Sequence, residues 1–192
     1  LGLAPDDAAL LNNRTEGWAA GLQMAALAIQ PRGSTGTGAD DEVDVVRELA
    51  RTQRYILDYL ADEVLSQQPE PVQRFLLGTS ILSRLCAPLC DARLQDLSPG
   101  RISSGELMAR LDRMGLFIHP LDEQLTWYRY HPLFAELLRR RLIDHHPDRL
   151  PQLHRRAATW YAEQGMVAEA IDHALAGEDF VRAVRLVEEQ IE

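Results

Sequence analysis

Between Trp127 and Leu142 the chain reads WYRYHPLFAELLRRRL, and the period of its apolar positions changes at a histidine. Trp127 to Tyr130 alternate as a strand does, whereas Leu133, Phe134, Leu137, Leu138 and Leu142 recur at helical spacing. Proline is favoured at the first helical position and pushes the residue before it out of the α region, so His131 is predicted at the N-cap. Unpaired backbone N–H groups and the helix dipole favour an anion there. The plainer alternative is that His131 only caps the helix or fills a half-buried turn.

The same pattern predicts helices along most of the chain. Thr15 is a candidate N-cap for a helix that puts Trp18, Leu22, Ala25, Ala26 and Ile29 on one face, with Gly17 and Gly21 allowing close approach. Residues 31–44 (PRGSTGTGADDEVD) have no apolar period and read as a flexible loop. A long helix carrying Tyr55, Ile56, Tyr59, Leu60, Val64 and Leu65 stops at Pro69. A helix over 69–82 turns Val72, Phe75, Leu76 and Thr79 inward. A shorter one runs from Pro88 through Leu94, and a third, capped by Ser103 or Ser104, carries Leu107, Leu111 and Met114 and ends at Gly115. Strands at 116–121 and 125–130, joined by Asp122, Glu123 and Gln124, complete the pattern of a winged helix. Beyond it, Leu153, Ala157, Trp160 and Tyr161 form a helical face, Gly165 makes a turn, and VAEAIDHALAG and DFVRAVRLVEEQ give two more helices. Ala158, Ala170, Ala174 and Ala183 fall where paired helices must approach closely, as in solenoid repeats. The expected fold class is therefore mainly α. Its parts are a partial helical domain at 1–67, a winged helix of three helices and a short β-hairpin at 68–145, and the first helices of a TPR-like repeat at 146–192.

Composition narrows the chemistry. All 20 basic residues are arginine, so no G-x-x-x-x-G-K-[ST] phosphate loop and no lysine Schiff base exists within these 192 residues, and no G-x-S-x-G turn occurs. A net charge of −9 opposes a general nucleic-acid surface. Cys86 and Cys90 stand in an apolar context that predicts buried thiols, and no metal cluster is expected. His145, His146, His154 and His173 read as surface or turn histidines and His119 as a strand residue. No leader and no run of 18 apolar residues is present, so the expectation is a cytoplasmic chain without membrane contact.

The stretches TEGWAAGLQMAAL (15–27), RYILDYLADEVLSQQP (54–69), FLLGTSILSRLCAPLC (75–90), LFIHPLDEQLTWYRYHPLFAELLRRRL (116–142) and LHRRAATWYAEQGMVAEAIDHAL (153–175) together resemble the large MalT-like regulators of the LuxR class, members of the STAND signal-transduction ATPases. The resemblance implies a parent protein with an ATPase core, a helical domain, a winged helix, a superhelical repeat domain and a DNA-binding domain, of which this chain holds the middle. It implies ATP or ADP as the parent's cofactor and none bound by the fragment alone. It places His131 where the family's winged-helix histidine contacts the ADP phosphate, with Arg129 as a second donor. Gly17 and Trp18 match a glycine-proline motif that touches the base, although Ala19 or Ala20 replaces the proline. The implied role is a non-catalytic, regulatory segment. Its expected partners are its own ATPase and repeat domains, with a homo-oligomer formed through the repeat helices as a further possibility.

Two other readings remain open on the residues. One is a direct DNA-binding winged helix, with 105–114 as recognition helix and Arg110 and Arg113 reaching DNA, which Glu106 and Asp112 oppose. The other is a protein-interaction module built on residues 150–192.

Overall fold

The computed structural model describes residues 60–93 and 103–190. By internal contacts the chain forms two compact units, one of residues 1–67 with 131–137 and another of 68–130 with 138–192. In the first unit the described segments are a π-helical stretch at Leu60–Leu65, which buries Ala61, Val64 and Leu65, and the opening turns of the helix that follows His131.

In the second unit, Pro69 caps helix α1 (Glu70–Thr79), which buries Phe75, Leu76 and Thr79 and leaves Val72 half-buried. The helix stops three residues short of the expected Leu82. Ser80 closes the last turn with its backbone N–H and its hydroxyl, both donating to the Leu77 carbonyl. A two-residue strand β1 (Leu85–Cys86) comes next, followed by α2 (Ala87–Arg93) and α3 (Ser104–Arg113). Ser103 is the N-cap of α3: its hydroxyl accepts the Glu106 N–H at 3.3 Å, in an S-x-x-E capping sequence. Leu107, Met108 and Leu111 are buried, but Met114, expected inside, is largely exposed because Gly115 at φ +68° turns the chain away.

Strands β2 (Ile118–Pro120) and β3 (Trp127–Tyr130) are shorter than the sequence pattern suggests, since the Asp122 carboxylate accepts the N–H groups of Thr126 and Trp127 and holds 121–126 as a loop. The three strands form an antiparallel sheet in the order β1-β3-β2, with Tyr128 opposite both Leu85 and Pro120. Three helices, a first short strand and a hairpin make a winged helix. The extra strand was not foreseen, because two residues cannot show an alternation.

Helix α4 (Pro132–His145) leads through a 3-10 turn at Pro147–Arg149 into α5 (Leu150–Glu163), α6 (Val167–Ala176) and α7 (Phe180–Glu188). Gly165 at φ +72° makes the α5–α6 turn. α6 packs against both α5 and α7, while α2 packs on α5. Ala158, Ala174 and Ala183 form one buried cluster with Ala170 also buried, so the small residues lie where the helices pair. Gly177 is required for this approach: a Cβ there would lie 2.9 Å from Arg155 Cγ and 3.0 Å from its backbone nitrogen.

Candidate functional site

β3 lies at the centre of the sheet and ends in Tyr130, which is buried. Thr79 of α1 spends its hydroxyl proton on the Phe75 carbonyl at 2.7 Å, so the 2.6 Å contact between the two hydroxyls has Tyr130 donating to Thr79 Oγ1. Burial holds the Tyr130 phenol well above its ordinary pKa, which keeps that proton in place. The strand end is thus tied to α1 where the chain turns into α4.

His131 follows. It is 4% exposed; its carbonyl accepts the Ala135 N–H at 2.9 Å, and its Nδ1 accepts the Leu133 N–H at 3.3 Å. This is N-cap geometry, with an imidazole in place of the usual hydroxyl or carboxylate. An accepting Nδ1 puts the neutral ring's proton on Nε2, so the other edge of the ring is a donor, the chemistry an anionic oxygen requires. Arg129 is half-buried on β3, opposite His119. Gly17 and Trp18 lie outside the described residues.

A second constellation carries no signal in the sequence. The Arg84 guanidinium, just before β1, stacks 4.5 Å above the Trp127 ring and pairs with Glu169 Oε1 of α6 at 2.6 Å. Trp127 in turn meets Trp160 of α5 edge to face, with centroids 6.4 Å apart. One cation therefore joins the winged-helix sheet to the α5–α6 pair. Arg139 adds another link through its Nε, which donates to the Ser80 carbonyl at 2.8 Å.

The histidines need correction. His173 is buried and His154 half-buried, and their Nδ1 atoms lie 2.9 Å apart between α5 and α6, so neither is a surface or turn residue. Tyr161 stacks on His173 at 5.3 Å, and burial pushes its phenol up to about 12. Cys86 and Cys90 are free, buried thiols, both with raised pKa values caused first by burial. Among the described residues no group of three or more His, Cys, Asp or Glu could hold a metal ion, and no helix is long and apolar enough to cross a membrane.

On α3 the side chains of Arg110 and Arg113 are exposed, but so is Glu106, Asp112 is half-buried, and Arg113 Nε donates to the Ala109 carbonyl at 3.2 Å.

Residues 61–150 match the family model described as the MalT winged helix domain. Over 178 residues, or 92% of the chain, the sequence is 37% identical to the HTH-type transcriptional regulator MalT of Yersinia pestis, covering 18% of that protein. It is 36% identical over 189 residues, or 98% of the chain, to the serine/threonine-protein kinase PknK of Mycobacterium tuberculosis, covering 16% of it. The chain thus spans about one sixth of the length of these curated relatives.

Proposed function

From the match of residues 61–150 to the MalT winged helix domain we propose that the chain is the regulatory middle segment of a MalT-like, ATP-dependent transcriptional regulator of the STAND and LuxR kind. In this reading it couples the nucleotide state of an ATPase domain to a DNA-binding domain, both outside these 192 residues, and performs no catalysis itself. Helices α5 to α7 are then the first units of a TPR-like repeat.

The observation that carries the reading is the Arg84 link. A coupling segment must pass a displacement from the winged helix to the helices beyond it. Arg84 grips Trp127 on the central strand and Glu169 on α6 at once. The comparisons point the same way. One relative is named as a kinase and the other as a transcriptional regulator, and both match nearly the whole chain, which supports a segment that serves proteins of different output.

His131 suits the input side. When ADP is bound, its phosphates supply the anion; His131 offers a buried N–H donor at a helix N-terminus, where donors act in a low dielectric. Arg129 would add a second donor, and Gly17 with Trp18 would meet the base.

The test of coupling is Arg84→Met with Glu169→Gln in the full-length regulator. We expect retained ADP and altered dependence of transcription on inducer; inducer dependence identical to wild type would contradict the coupling role. The kinase relative favours a second reading, in which the same segment regulates a kinase output. A reading frame encoding a kinase rather than a helix-turn-helix domain would establish that form.

A further inference from the structure

We propose that His154 and His173 form a proton-sensitive latch that holds α6 on α5. They sit at the end of the helix pair away from the Gly165 turn, His154 near the start of α5 and His173 in the last turn of α6. Their Nδ1 atoms are 2.9 Å apart, their ring centroids 5.0 Å apart, and Tyr161 stacks on His173, the two planes 15° apart.

Such a pair holds one proton between two nitrogens. One ring donates through Nδ1–H and the other accepts with its Nδ1 lone pair. A first added proton can go to Nε2 of the donor ring and leave the bond intact. A second must go to the accepting Nδ1, and then two N–H groups of like charge face each other at hydrogen-bond distance, so the contact opens.

The surroundings resist charging. For both rings burial is the first cause of a lowered pKa, which brings His173 to about 4. The Arg139 guanidinium from α4 acts on His154 in the same direction, while Asp172 and Glu169 of α6 favour a charged His173 more weakly than burial opposes it. Tyr161, with its raised pKa, stays neutral throughout. The folded pair therefore binds fewer protons than the open one, whose imidazoles titrate near 6.5. The latch is fully closed above that pH and is lost as pH falls towards about 4. Because α6 also carries Glu169, opening the latch loosens the Arg84 link at its α6 end, while the Trp127–Trp160 contact to α5 stays.

Amide hydrogen exchange of the 192-residue chain, expressed as protection factors between pH 7 and 4, tests this. Protection of residues 167–176 should fall about tenfold or more per pH unit below 6.5, while α3 keeps its protection. His173→Phe, which preserves the stack on Tyr161 and removes the more buried imidazole, should flatten most of the pH dependence of α6 protection. His154→Gln removes the facing ring but leaves His173 buried, so where the first variant folds poorly it should weaken the pH dependence without abolishing it. Equal loss of protection in α3 and α6, an unchanged pH dependence in either folded variant, or both imidazoles titrating near 6.5 by NMR would overturn the proposal.

Discussion

At the scale of single residues, the positions that define this fold are those where one atom decides the geometry. Gly177 is one. Its added Cβ would meet Arg155 at 2.9 and 3.0 Å and the Pro151 carbonyl at 3.1 Å, and two of these neighbours are helix backbone that cannot move aside. Gly177→Ala should therefore cost about 1–3 kcal/mol by urea unfolding, the range for overpacking. An unchanged midpoint would mean α6 can shift off α5 at no cost. Tyr130 is another. Tyr130→Phe removes the donor to Thr79 but leaves the Thr79 bond to Phe75, so a loss of about 1 kcal/mol is expected and no more. His131 was legible because Pro132 fixes the helix start and leaves the histidine one place, and the structure supplies that cap. The burial of His173 was not legible. A histidine near the end of an alanine-rich helix reads as exposed until the face of the neighbouring helix is known.

Elements were readable in proportion to their periodicity. α1, α3, α5 and α6 carry apolar stripes over ten or more residues and lie where the stripes put them, and Gly115 and Gly165 adopt the positive φ that ends or turns them. β1 has no period to read, and the Arg84 link joins residues 85 positions apart, a distance at which no local pattern speaks. This link is partly exposed at both charged ends, so a double-mutant cycle of Arg84→Met and Glu169→Gln should give a coupling of only about 0.5–1 kcal/mol in stability. Zero coupling would mean the cation rests on Trp127 alone. The outer face of α7 is apolar and exposed: Phe180 is 61% and Val181 73% exposed, with Val184 and Val187 beside them. If the proposed homo-oligomer forms through this face, Phe180→Asp with Val184→Asp should shift the chain to monomer in sedimentation; a wild-type chain already monomeric at high concentration would contradict it.

For the molecule as a whole, what the chain lacks is as instructive as what it holds. Without a lysine it has no phosphate loop of its own, so the isolated chain is expected to bind ADP far more weakly than the full regulator, and calorimetry showing micromolar affinity would count against that. The mainly helical class and the winged helix were legible because each helix carries its own stripe. The central claim is that this segment reports nucleotide state, and the measurement closest to it is ADP retention together with inducer-free transcription in the full regulator carrying His131→Leu. A charge-assisted hydrogen bond to phosphate is worth about 1.5–3 kcal/mol, so its loss should shift the resting equilibrium by roughly ten- to a hundredfold, with ADP released and basal transcription raised at matched protein levels. If instead the variant is only about 1 kcal/mol less stable, as loss of a helix cap requires, and both ADP retention and basal transcription match wild type, His131 is a cap and the account of nucleotide sensing is contradicted.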